Sequence, residues 1–599
     1  MKTLLLALAL LLAPTAHAAS QRQQALDQGI AVDFDAVPGA QPGDPVAFRF
    51  QLKDSTSGRP ISGIRPAAWL GLRRNAGDTP APCKQQIAGY LAGDLFKRAE
   101  VDLNSYFVLA LNDEASISVV DPLFGFGGSK LLALLDLEKP GADWLLTPER
   151  ERLFVSMPQA NKVAIADTGS WRIVRTVETG PNPRQLVQSA ADIWVADDAG
   201  ISRIDRRSLA VERMALGAVT AIEVDDAGDF ILAAAGDRLH VVDAHDGKLL
   251  GTVELPGQPQ RLAWSSAAKA VYALDAAAGQ VFVLDPRQRA LRATVSVESG
   301  ASQIRFAPNG RFALLPNPQR NRLQVLDASS DSIVQNADVP DGPDQVSFTP
   351  LLAYVHRRDS EIVQMISLEQ IGRAGQRLGV AEFPAGQNAL GAAPEFGADT
   401  IVAAPEGPAV LVANPADKMI YLYREGMAAP AGGFRTYGRQ PRAVLVVDHG
   451  LREGQRGDYA TRMPVSKAGT YDVALFADSP RLATCFTFTH VDNKPAAPPL
   501  PRIYAIDPPR TLSVGQPARL RFALLDGADG HRRQSSDVHG LTLLAPGTWQ
   551  RRSTLAARAD GSYELQFTPP QPGMYYVWIE SESLGLARRH RQFLIYEAR

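Results

Sequence analysis

AVYALDAAAGQVFVLDPRQRALRATVSVESGASQIRFAPNG, Ala270 to Gly310, is the stretch whose reading decides the fold. Val271-Tyr272-Ala273-Leu274 and Val281-Phe282-Val283-Leu284 are short apolar runs joined by Ala278-Gly279, a tight turn in which glycine takes positive φ without steric cost. Runs that are apolar at every position suit strands covered on both faces. Asp285 ends the second run and leads through a turn into ATVSV, and APNG is the turn before the next unit. The closing phrase, an apolar run ending in Asp, recurs as ISVVDP (117–122), VAIADT (163–168), ISRIDR (201–206), LHVVDA (239–244), VFVLDP (281–286) and LQVLDA (323–328). Its Asp residues fall at 121, 167, 205, 243, 285 and 327, with spacings of 46, 38, 38, 42 and 42. A period near 40 residues built of short strands indicates a β-propeller, one blade per repeat. VQMISL (363–368) and IYLYRE (420–425) hold the same place without the Asp, so the expected ring has seven or eight blades, with eight preferred.

YALD…GQVFVLDP…ATVSV…ASQIRFAPNG resembles the YVTN-type repeat of secreted bacterial propellers. That family overlaps in sequence with the haem-d1-binding propeller of cytochrome cd1 nitrite reductases. The resemblance covers roughly residues 101–425 and speaks for the fold; propellers host enzymes, cofactor carriers and docking platforms alike.

MKTLLLALALLLAPTAHAAS reads as a signal peptide over 1–18: Lys2, a short apolar core, and Ala16-His17-Ala18 as the cleavage site. Its Ala- and Leu-rich character is bacterial, so the expected location is the periplasm. No later stretch is long and apolar enough for a membrane helix. A net charge of −2 without basic blocks argues against nucleic acid and against an anionic membrane surface. Residues 19–100 read as an N-terminal β segment, with IAVDF and VAFRFQL as alternating strands and a short helix after Cys83. Residues 101–427 are the expected propeller.

Two later blocks share a phrase: Gly-x-Tyr, an alternating strand, a Pro/Gly turn, then Gly-x-Tyr and another strand. AGTYDVAL lies in the first block (428–493) and PGMYYVWI in the last (502–599). The phrase resembles the closing hairpin of immunoglobulin-like sandwiches, with the Pro-rich 494–501 as a semi-rigid linker. The first block is short for a whole sandwich and is expected to borrow strands from residues 28–80. Cys83 and Cys485 are an even pair in an oxidising compartment, suited to a disulfide across the two ends of the propeller. Free buried thiols and a thiolate metal site are the alternatives.

The sequence has no Cys-x-x-Cys-His, Walker loop, Gly-x-Ser-x-Gly elbow or His-Glu-x-x-His helix. Acid pairs at DDAG (197–200 and 225–228) read as solvated turn acids. His240 and His356 are the candidate haem or metal ligands among the propeller histidines. His531, Asp537 and His539 are a candidate surface metal cluster, and Cys485, His490 and Met463 a weaker copper set. The insertion 369–399 is the place where a rim function is expected. The reading preferred is a non-catalytic periplasmic binding or scaffold protein with a protein partner, accessory to a respiratory or quinoprotein enzyme system, with no cofactor. The alternatives are a non-covalent haem-d1-like tetrapyrrole carrier, as oxidoreductase or maturation protein, and a copper or zinc handler.

Overall fold

In the computed structural model, the residues described are 20–39, 45–73, 81–91, 99–122, 130–373, 378–379, 381–405, 407–465, 467–491, 500–526, 530–544, 549–581, 583–586 and 592–599. Residues 1–18, expected to be a signal peptide, most of the Pro-rich linker and part of the insertion lie outside them. Contacts divide the chain into two compact units, 1–492 and 493–599.

The first unit is dominated by four-stranded antiparallel sheets, eight of them among the described residues of the repeat region. The stretch quoted above forms three strands of one sheet: Arg261–Ser265 pairs with Ala270–Asp275, then Gln280–Asp285, then Ala290–Ser296. Side chains alternate along a strand, so Val271 and Ala273 point to one side and Tyr272 and Leu274 to the other. Val271, Ala273, Phe282 and Leu284 join Leu232, Ala234 and Val241 of the preceding sheet; Tyr272, Leu274 and Val283 join Ala313, Leu315 and Leu326 of the following one. The same construction recurs at all eight junctions, each with its own apolar cluster. The last cluster joins Leu109, Leu111 and Val119 to Leu153 and Val155, so the sheets return on themselves in a closed β-propeller ring.

The ring closes with strands from both ends of the region. Pro441–Asp448 supplies the inner strand of a sheet whose other three strands are Tyr106–Asn112, Ser116–Asp121 and Lys130–Asp136. Gly432–Arg435 is the outer strand of the sheet before it. The ring therefore runs to Asp448 and not to 427. PRAVLVVD, an inner strand, falls in the block that the sequence assigns to the flanking segment.

The segments flanking the ring form one two-sheet sandwich. One sheet is ordered Gln21–Asp27, Ile30–Val37, Val46–Asp54, Asp458–Met463, Arg452–Glu453; the other is Leu482–His490, Gly469–Ala477, Ala67–Leu72, Val101–Asp102. Phe34, Phe48, Phe50, Tyr459, Tyr471, Phe486 and Phe488 fill the space between them. Cys83, which opens the helix Cys83–Leu91, is bonded to Cys485, with a Cα–Cα distance of 5.7 Å across 402 residues of sequence. A loop of that size corresponds to at most on the order of 6 kcal/mol in the chain-entropy model, and less where strands already hold the ends together.

The second unit packs the sheet containing Arg502–Ile506, Ala518–Leu525, Arg532–Arg533 and Tyr563–Phe567 against that of Trp549–Leu555, Val538–Leu544, Gly573–Glu580 and Phe593–Ala598. The shared Gly-x-Tyr phrase does the same work in both units. Tyr471 donates to the carbonyl of Lys467 at 2.7 Å, and Tyr575 donates to that of Gln571 at 2.8 Å. In each, a buried ring carries its hydroxyl back to the turn before the strand.

Candidate functional site in the axial channel

Asp167, Asp205, Asp243, Asp285 and Asp327, which close five of the repeat phrases, cap rim turns. Asp205 accepts the N–H groups of Arg207 and Ser208 at 3.0 and 2.6 Å, Asp243 those of His245 and Asp246 at 2.8 and 3.1 Å, and Asp285 those of Arg287 and Gln288 at 2.9 and 3.2 Å. Asp197 and Asp225 cap turns too, accepting Gly200 and Phe230 N–H, but both are buried where the sequence reading had them solvated.

The axis is built differently. The inner strands carry polar side chains that reach to the next sheet. Gln185 accepts Ile222 N–H at 3.1 Å, Gln303 accepts Val346 N–H at 2.8 Å and Gln345 accepts Thr400 N–H at 2.8 Å. Arg184, Arg261 and Arg305 donate to the carbonyls of Val219, Ser302 and Val346 at 3.2, 3.1 and 3.1 Å.

Residues 393–399, the end of the insertion, cross this channel. Ala393 N–H donates to Asp344 at 2.9 Å, and the Ala398 carbonyl accepts from Gln345 at 3.1 Å. Asp399 takes both terminal nitrogens of Arg305, at 2.5 and 3.0 Å. The Phe396 ring centroid lies 6.0 Å from the guanidinium of Arg184 and 5.9 Å from that of Arg261. Gly397 passes so close to Asp143 that a Cβ there would meet both carboxylate oxygens at 2.7 Å. One segment thus contacts the first, second, fourth, fifth and sixth inner strands. Residues 393–399 are a plug in the axis, whereas Ala381–Pro384 of the same insertion is the outer strand of its sheet; the sequence points to the rim for the whole insertion.

Two cavities flank the plug. The inner one, about 350 Å³, is lined by Glu223, Arg261, Trp264, Arg305, Phe306 and Glu395, among others. The outer one, about 660 Å³, shares Arg261, Glu395 and Phe396 and adds Asn182 and Arg184. Burial pushes the Glu223 carboxyl up to about 7 against the opposing pull of Val224 N–H and the Arg305 charge. Burial raises Asp143 to about 7 as well, helped by the charge of Asp399 and opposed by the N–H groups of Leu186 and Trp144.

The residues singled out from sequence lie elsewhere. His356 is buried, with Nδ1 2.6 Å from Asp344 and no partner for Nε2 among the described residues. His240 is buried in the strand Arg238–Asp243, with Nδ1 2.9 Å from Thr252. Neither lines the axial cavities. Asp537 is occupied by Ser535, Ser581 and Ser583, which hold its carboxyl well below the ordinary range; His539 turns to Thr554 at 3.3 Å. Among the described residues, no group of three or more His, Cys, Asp and Glu side chains is arranged to hold a metal. Cys485 is consumed by its bond to Cys83, and His490, an odd number of residues along the same strand, points to the other face.

A tetrapyrrole on the propeller axis does not fit these residues. The plug occupies the axis, and the two candidate imidazoles bond within their own sheets, to Thr252 and Asp344. Glu223, Arg305 and Asp143 are what the sequence reading missed. Glu223 pairs with the third residue of its neighbouring strand (Leu232), as Val187 does with Trp194, Ala263 with Tyr272, Arg305 with Leu314 and Ser347 with Tyr354. A charge where equivalent repeats hold Val, Ala or Ser was the available signal.

A closed ring of four-stranded antiparallel sheets around a plugged axis defines a β-propeller protein. No family model matches the chain, and no curated protein matches it by sequence. Among solved structures it is similar to dihydro-heme d1 dehydrogenase NirN in complex with DHE, at 14% identity over 63% of this chain and 80% of that one, TM-score 0.47. It is similar also to apo AztD from Citrobacter koseri, at 14% identity over 58% of this chain and 99% of that one, TM-score 0.45. The β-propeller domain of Myceliophteria thermophila Cps50 (Swd1) is a third, at 14% identity over 49% of this chain and 99% of that one, TM-score 0.35. Among the described residues no helix is long and apolar enough to cross a membrane.

Proposed function

We propose that this chain is a non-catalytic, exported binding or scaffold protein that docks a periplasmic protein partner, as an accessory to a respiratory or quinoprotein enzyme system. The observation that carries the reading is the cleft between the flanking sandwich and the ring. It measures about 1010 Å³ and is lined by Arg49, Arg150, Arg152, Arg452 and Arg462 on one side of the charge balance and Asp35, Glu149, Glu151, Asp167 and Asp448 on the other. Its walls are tied together. Arg462 pairs with Glu151 at 2.9 Å and Arg452 with Asp448 at 2.6 Å, each joining the sandwich to the ring. A fixed cleft with alternating charge suits electrostatic registration of a complementary protein surface. The plugged axis argues against the tetrapyrrole reading for the channel.

The test places a photo-crosslinking residue at Arg49 or Arg452 in the native host and, as a control, at Tyr504, an exposed position of the second unit. One protein captured from both cleft positions and not from the control, and lost on Arg452→Glu, is the expected result. Equal labelling from all three positions would overturn it. A visible spectrum and metal analysis of the same native protein decide the alternatives: a Soret band speaks for a tetrapyrrole carrier, stoichiometric copper or zinc for metal handling.

A further inference from the structure

The inner axial cavity, on the far side of the ring's plug from its outer mouth, has an unfilled chemical requirement. Its charged donors are taken. Arg261 donates Nε to the Ser302 carbonyl at 3.1 Å and a terminal nitrogen to that of Gln260 at 2.9 Å, with Glu395 4.0 Å away. Arg305 spends both terminal nitrogens on Asp399 and one also on the Val346 carbonyl. Among the acceptors, Asp344 is taken by His356 and Ala393 N–H. Two carboxylates are left over: that of Glu223 accepts the adjacent Val224 N–H at 2.9 Å and no other hydrogen bond among the described residues, and that of Glu395 accepts none among them. Glu223, Asp344, Glu395 and Asp399 set four carboxylates against the guanidiniums of Arg261 and Arg305. Trp264 and Phe306 supply aromatic walls. The Arg261–Phe396 approach shows the same segment already setting a cation beside an aromatic ring.

An under-bonded acceptor, an excess of carboxylates over guanidiniums, aromatic walls and a cavity of about 350 Å³ together select a ligand that brings positive charge on a small organic body. We propose that the inner axial cavity binds a small organic cation, an amine or quaternary ammonium compound, with Glu223 as its anchor and Trp264 and Phe306 as its walls. A divalent metal is disfavoured by the ligand set, since among the described residues no three carboxylates or imidazoles converge there. The site is independent of the cleft between ring and sandwich, so either reading can fail alone.

Isothermal titration of the full mature chain with choline, benzylamine and putrescine tests this, with succinate as anionic control and Ca²⁺ and Zn²⁺ as metal controls. Saturable binding of at least one ammonium probe is expected, weakened at least tenfold by Glu223→Gln and several-fold by Trp264→Leu. Affinity should also rise with pH toward about 7, as Glu223 ionises in the field of Arg261, Arg305, Asp344, Glu395 and Asp399. Glu223→Gln conserves shape, and thermal unfolding of each variant confirms that it is folded. Succinate binding in place of the amines, metal binding lost in Glu223→Gln, undiminished amine binding in that variant, or no saturation by any ammonium probe up to millimolar concentration each overturns the proposal.

Discussion

The carboxylates of the rim and those of the axis are the same chemistry in opposite surroundings. At the rim, Asp205 accepts the backbone and hydroxyl of Ser208, in that order of effect, and is held below the ordinary carboxyl range. Asp327 is lowered chiefly by Arg311, whose guanidinium meets it at 2.7 and 2.9 Å. On the axis, Asp143 and Glu223 are raised by burial to about 7. Asp205 and Asp327 stabilise the fold as anions; Asp143 and Glu223 are accommodated on the axis by binding a proton more readily. The difference shows that a propeller can repeat one acid as a structural device and reserve another for the position where the repeat is broken.

The strongest way to break the comparison is to unpair the axis. Asp399→Ala leaves Arg305 in the channel without either of its carboxylate bonds and loosens residues 393–399. The expected cost is about 3 kcal/mol, read as a lowered urea midpoint with unchanged slope. Replacing both partners, as Asp399→Leu with Arg305→Met, should cost less than Asp399→Ala alone, because no charge is then stranded. If the double variant is the weaker protein, the pair contributes more than compensation for burial.

Gly397→Ala probes the plug without touching a charge. The added methyl meets the Asp143 carboxylate at 2.7 Å, so either the carboxylate or the segment must move. A loss of about 1–3 kcal/mol is expected. Gly391, another glycine of the same insertion, has nothing within 4 Å of its Cβ position; its positive φ of 77° is the sole strain on Gly391→Ala, which should cost about 1 kcal/mol. Equal losses at the two sites would show that residues 393–399 do not bear on Asp143.

The two sets of acids also respond to pH with opposite signs. Asp143 and Glu223 bind protons more tightly in the folded state than in the unfolded chain, where they titrate near 4. Their contribution is full below about 4 and declines as pH rises toward about 7, by up to about 1.4 kcal/mol per pH unit for each group. Asp205 and Asp327 do the reverse: present above about 4, lost as pH falls through their lowered folded values. Asp143→Asn with Glu223→Gln should flatten the decline between pH 4 and 7 and leave the acid limb unchanged. A decline that persists in the double variant would falsify the assignment.

How much of this was legible follows from what a repeat encodes. Leu274, Val283 and Asp285 recur in kind every forty residues or so, and from them the strands, the two-sided burial and the rim caps could be read. The sharing of flanking strands was legible in outline, because the block holding AGTYDVAL is too short to cover its own apolar face. Pro441–Asp448 was misplaced because a closing strand is far in sequence from Tyr106–Asn112, its partner, and carries no repeat phrase. Glu223 and Arg305 were overlooked for the opposite reason: seeking what the repeats share averages away the positions where one departs. His240 and His356 drew notice by residue type, but their imidazoles bond within their own sheets.

The smallest effect belongs to a single rim cap. Asp205→Ala removes the acceptor for Arg207 N–H, Ser208 N–H and the Ser208 hydroxyl, all at a turn open to water that takes over the freed donors. A loss of about 1 kcal/mol is expected. The equivalent Asp243→Ala should cost a similar amount, and the two should add, because each turn lies on its own sheet and the pair shares no hydrogen bond. Additivity at the rim, set beside the non-additivity expected for Asp399 and Arg305 on the axis, separates independent repeats from a connected site. Strong coupling between Asp205 and Asp243 would mean that rim turns are linked through the ring, and the distinction between rim and axis would then be one of degree.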